Sequence, residues 1–200
     1  MIINISSDQL DILKEITSIG VGRAAAAISD MMSVRVGLTL PNLRQAGSSE
    51  VSADLASLSS TLVAVHMSFS GPNNGMAMVC FSPQDAKTLV GSLTGEAVSA
   101  GGLDDLAKST LCEVGNIVIN GIMGSLATSL SCIYDYHIPE FKEGTVDIIA
   151  KGLNIYDNSN KYFITTAGFD VSKIEIVGRI ILCYDAISAN NLLAKIDNLI

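Results

Sequence analysis

STLCEVGNIVINGIMGSLA, residues 109–127, is the stretch on which the fold turns. Ser109, Glu113, Asn116 and Asn120 follow one another at steps of four, three and four. At 100° per residue they fall within a stripe about 60° wide on one helix face. Leu111, Val114, Ile117, Val118, Ile119 and Ile122 occupy most of the remaining circumference. The pattern predicts a helix buried on nearly all sides, with one narrow polar stripe.

A second stretch of the same kind lies upstream. DILKEITSIGVGRAAAAIS (11–29) aligns with 109–127 without gaps at an offset of 98. Asp11 meets Ser109, Glu15 meets Glu113, Ser18 meets Asn116 and Ile19 meets Ile117. Small residues follow in both, and Pro41 and Pro139 repeat the same offset. An internal repeat of this length sets the organisation of the whole chain.

Beyond each helix the two halves match in pattern. Residues 61–70 and 76–82 read as strands joined through GPNNG, a turn signal. KYFITTAGFDV and KIEIVGRIILCY (161–184) read as a comparable hairpin turning near Ser172. Each hairpin leads into a helix, one opening at Pro83 and one capped by Asp185. The expectation is an α+β fold with two helix–strands–hairpin–helix halves, at about 8–95 and 104–199, related by a pseudo-two-fold. EAVSAGGL (96–103) joins them, and the halves share one core within a single domain spanning 1–200.

Composition narrows the function classes. Hydrophobic residues make up 48% of the 200, so a large buried fraction is expected. No run approaches the roughly 18 uninterrupted apolar residues of a membrane span, and the N-terminus lacks a secretory pattern. A cytoplasmic location is the expectation. A net charge of −8 repels nucleic acid and anionic lipid, and without Trp no base-stacking platform is evident. Cys80, Cys112, Cys132 and Cys183 form no CxxC pair and read as reduced core thiols. With only His66 and His137 beside them, no metal site is expected.

The repeated helices resemble the CheC/CheX/FliY phosphatases of bacterial and archaeal chemotaxis. Their pattern, Asp/Ser-x3-Glu-x2-Asn-x22-Pro, is met in full by Ser109, Glu113, Asn116 and Pro139. The first helix meets it at Asp11, Glu15 and Pro41 but carries Ser18 in the asparagine position. In length and duplication the chain resembles stand-alone CheC more than CheX or the larger FliY. The resemblance implies hydrolysis of an aspartyl phosphate on a CheY-like response regulator. It further implies that the partner receiver brings its own Mg²⁺ and lysine, so that the chain needs no cofactor of its own.

On that resemblance Asn116 orients the attacking water and Glu113 anchors the receiver through its active-site lysine. Ser109 supports Glu113, and Pro139 shapes a strand end. The first site is expected to be weak or dead, since a serine hydroxyl lacks the planar donor–acceptor pair of an amide. Asn120 extends the stripe outside the motif, and Arg23 is either a surface charge or an obstruction of the first site. GVG (20–22), without a following GK[ST], reads as close helix packing, not a phosphate loop. Two other readings stand beside the enzyme: an adaptor that binds a receiver or the CheD deamidase, and a flagellar switch component by analogy with FliY.

Overall fold

The computed structural model describes residues 5–40, 42–96, 101–152, 154, 155, 157 and 159–200. Pro41 and positions 97–100 of the joining segment lie outside the described residues.

The chain opens with helix α1 (Ser7–Met32), strands β1 (Val36–Thr39) and β2 (Arg44–Ala46), and helix α2 (Ser48–Leu58). A hairpin of β3 (Thr61–Ser70) and β4 (Gly75–Phe81) runs into α3 (Pro83–Thr94). Helix α4 (Asp105–Ser129) precedes β5 (Asp135–Tyr136), β6 (Glu140–Thr145) and α5 (Val146–Gly152). The hairpin of β7 (Lys161–Val171) and β8 (Ile174–Tyr184) leads into α6 (Ala186–Asp197). Ser172 and Lys173 make the β7–β8 turn with positive φ, and Asp185 caps α6 by accepting from the Ser188 amide.

The eight strands form one antiparallel sheet in the order β1-β7-β8-β4-β3-β5, with β2 also on β7 and β6 also on β3. The short strands of the first half therefore pair with the second half, Val36 opposite Val171, and those of the second half with the first, His66 opposite Glu140. β4 and β8 meet at the centre, Val79 opposite Ile180.

Strand side chains alternate between two buried faces. Val63, Val65, Met67 and Phe69 of β3 pack with Phe163, Leu182 and Tyr184 beneath α1, α3, α4 and α6. Leu62, Ala64, Met78, Tyr162 and Ile164 point the other way, toward Val51 and Leu55 of α2 and Ile149 and Ala150 of α5. The core is thus divided by the sheet into two clusters, each drawing on both halves of the chain. β3 is buried on both faces from Leu62 to Met67, which accounts for its near-continuous apolar run.

Candidate functional site

α4 starts where Asp104 accepts a hydrogen bond from the Ala107 amide at 2.8 Å. Two glycines fix the roll of this helix. A Cβ on Gly115 would fall 2.6 Å from Val65 Cγ1, so the glycine seats α4 on β3. A Cβ on Gly121 would fall 2.6 Å from the Gly20 carbonyl oxygen, where α4 crosses α1. The centre of the polar stripe lies about 130° round from Gly115 and about 110° from Gly121. With both contacts made, the stripe must face away from sheet and partner helix alike.

The exposures agree with that geometry. Leu111, Val114, Val118, Ile119 and Ile122 are buried, and Ile117 is half-buried. Ser109, Glu113 and Asn120 are exposed, and Asn116 is half-buried among them. α4 is long and apolar enough to cross a membrane by composition, and its packing against β3 and α1 accounts for that apolarity.

Within the stripe the Asn120 amide donates to the Asn116 carbonyl oxygen, Nδ2 to Oδ1, at 2.8 Å. None of the ion pairs among the described residues involves Glu113, whose carboxylate is open to an external cation. Next to it, burial and the Glu113 charge push the Cys112 thiol above its usual pKa. That thiol stays protonated and is poorly suited to nucleophilic attack. Burial likewise raises Cys80 and Cys183 to about 12, and all four cysteines are free. Pro139 sits half-buried immediately before β6.

On α1, Asp11, Glu15 and Ser18 are exposed along one face. Asp11, at the position of Ser109, is paired with Lys14 at 3.1 Å, while Glu15, at the position of Glu113, takes part in none of the ion pairs among the described residues. Arg23 points elsewhere: its Nη1 reaches Ser125 Oγ on α4 at 3.5 Å, about 120° round the helix from Asp11.

Two cavities among the described residues have linings that include no residue of either stripe. One of about 320 Å³ opens on the far face of the sheet, lined by His66, Ser68, Met76, Cys183 and Asp185. Another of about 610 Å³ is lined by Ile5, Arg44 and Lys161 among others. Glu113 and Asn116 line neither. An exposed stripe on a rigid helix suits the surface of a macromolecule, whereas small ligands are held in concave sites.

No family sequence model matches the chain. Solved structures do. FliY from Thermotoga maritima overlays with a TM-score of 0.78, covering 99% of both chains at 15% identity. FliM in the FliG–FliM complex from H. pylori gives 0.69, covering 95% of this chain and 100% of that one at 15% identity. A CheC-like superfamily protein from Shewanella sp. PV-4 gives 0.51, over 90% and 99% of the two chains at 14% identity. The chain has the α+β fold of the CheC-like chemotaxis proteins, shared with FliY and FliM. Length and the sequence repeat led to the expectation of a likeness to stand-alone CheC, while the overlay on FliY is fuller than that on the CheC-like protein.

Proposed function

We propose that the α4 stripe hydrolyses an aspartyl phosphate on a CheY-like receiver domain. The observation that carries this reading is the pairing of an unengaged carboxylate, Glu113, with a held carboxamide, Asn116, on one outward face of a rigid helix. Water attacks phosphorus in line with the leaving carboxylate; the acyl–phosphate P–O bond breaks, giving inorganic phosphate and a free aspartate. The receiver's Mg²⁺ and lysine neutralise the charge on the phosphoryl oxygens.

The protein's own contribution is position. Glu113 docks on the receiver's lysine, and Asn116 sets the water against phosphorus. Holding reactants at attack distance is worth several kcal/mol when the geometry is tight. A helix fixed by glycine contacts on two sides supplies that stiffness. The experiment is phosphate release from a phosphorylated receiver, with and without the protein. Acceleration that disappears in Asn116→Ala supports the reading, and a wild-type protein without acceleration rejects it.

A second reading is a docking module that binds a receiver, CheD or a flagellar switch protein without catalysis. It is favoured by the overlay on FliY and on FliM, the latter solved in complex with FliG. A stable complex with a phosphorylated receiver whose phosphate persists supports this alternative.

A further inference from the structure

We infer that Asn120 is a positioning residue for Asn116, fixing which end of its amide meets the attacking water. This rests on the phosphatase reading above. A carboxamide has two unlike ends, an acceptor oxygen and a donor nitrogen, and its terminal torsion is broad and two-fold. An unheld Asn116 would present either end. The two orientations are not chemically equal. When the carbonyl accepts a water hydrogen, the lone pairs of the water oxygen remain free for attack on phosphorus. When the nitrogen donates to the water instead, one of those lone pairs is already committed.

The hydrogen bond from Asn120 Nδ2 to Asn116 Oδ1 at 2.8 Å selects between them. It occupies one of the two acceptor positions of that oxygen and leaves the other for water. Both Nδ2–H donors of Asn116 then remain for phosphoryl oxygens. The two residues are four apart on one face, where side chains of a helix meet. Asn120 is exposed, so no core contact explains an amide there. At the offset of 98 that aligns the two helices, Asn116 and Asn120 correspond to Ser18 and Gly22. The first helix lacks both members of the pair, and the second has both.

The test measures phosphate release under single-turnover conditions for Asn120→Ala, Asn120→Asp and Asn120→Gln, with Asn116→Ala and the double Ala variant alongside. An aspartate at 120 has no donor for the carbonyl and draws the Asn116 nitrogen toward itself. Expected are a loss of about tenfold for Asn120→Ala, up to about 10²-fold for Asn120→Asp, and substantial rescue by Asn120→Gln. The protein concentration for half-maximal rate stays unchanged in Asn120→Ala, since docking is left to Glu113. Adding Asn120→Ala to Asn116→Ala costs nothing more, because Asn120 acts only through its neighbour. The Asn116 side-chain ¹⁵NH₂ resonances move in Asn120→Ala, a readout independent of activity.

An active wild type with undiminished Asn120→Ala and Asn120→Asp rates overturns the role of Asn120 alone. So do additive losses in the double variant, or Asn116 resonances that do not move. A wild type that fails to hasten phosphate release overturns the phosphatase reading, and the role of Asn120 in catalysis with it.

Discussion

Gly20 and Gly121 meet backbone to backbone, with Ala24 Cβ 3.0 Å from where a Cβ on Gly121 would stand. Neither helix can step aside without lifting from the sheet. Gly121→Ala or Gly20→Ala is therefore expected to lower stability by about 1–3 kcal/mol. Gly22 has open space around it, and Gly22→Ala should raise stability by about 0.5–1 kcal/mol through helix propensity. Urea unfolding of the three variants checks the contrast.

Glu113 and Asn116 should separate kinetically. Glu113→Gln is expected to raise the concentration for half-maximal phosphate release with a smaller effect on the limiting rate. Asn116→Ala should reduce the limiting rate by about 10²-fold, the scale of one lost positioned group, and leave docking intact. Titrating each variant against a phosphorylated receiver distinguishes the two effects, and their unfolding midpoints should match wild type.

The first helix offers a gain-of-function test. In the Asn116→Ala background, Ser18→Asn alone should recover little release, because its amide has no partner to hold it. Ser18→Asn with Gly22→Asn supplies the pair in a place with room for it, and measurable release should return. Equal rates for the single and double changes would contradict the pairing argument.

His66 makes stability depend on pH. Its imidazole is buried, and neither ring nitrogen has a hydrogen-bond partner. Burial, helped by Lys142, holds its pKa below 6.5 against the opposing pull of Glu140, whose carboxylate lies 3.6 Å away. The unfolded chain then takes up a proton that the folded chain resists as pH drops below about 6.5. Stability from this site is full above that value and declines beneath it. The urea midpoint should fall between about pH 7.5 and about pH 5.5, by less in His66→Phe than in wild type.

Each half should fail to fold alone. We propose that 1–95 and 104–200 form one unit, since β1 and β2 have their partner in β7, and β5 and β6 have theirs in β3. Circular dichroism and amide dispersion of the separate fragments check this; two native-like spectra would show independent halves.

Much of the fold was legible because its long elements carry strong local signals. Periodicity marks α1 and α4, Pro83 in the first turn of α3 and the cap Asp185 of α6 open those helices, and turn residues delimit β3–β4 and β7–β8. α2 and α5 escaped notice because each buries only two residues, Val51 with Leu55 and Ile149 with Ala150. β5 spans only Asp135–Tyr136, and its strand state exists through pairing with Phe69 and Ser70, a contact no local window contains. Helical spacing likewise gave the direction of the Glu113–Asn116 stripe. It did not give the hydrogen bond between Asn116 and Asn120, because spacing brings two amides together without saying which atoms face each other.

The exchange of short strands between halves also governs how the polypeptide can be made. While the ribosome is still synthesising the second half, Val36 has no partner strand until Val171 emerges, and Arg44 none until Ile164. During that interval β1 and β2 are open edges on a nascent protein, and a second copy at the same stage could fill them just as well. Slow elongation through the stretch between α5 and β7 would lengthen that exposure, favouring intertwined dimers over the monomeric sheet.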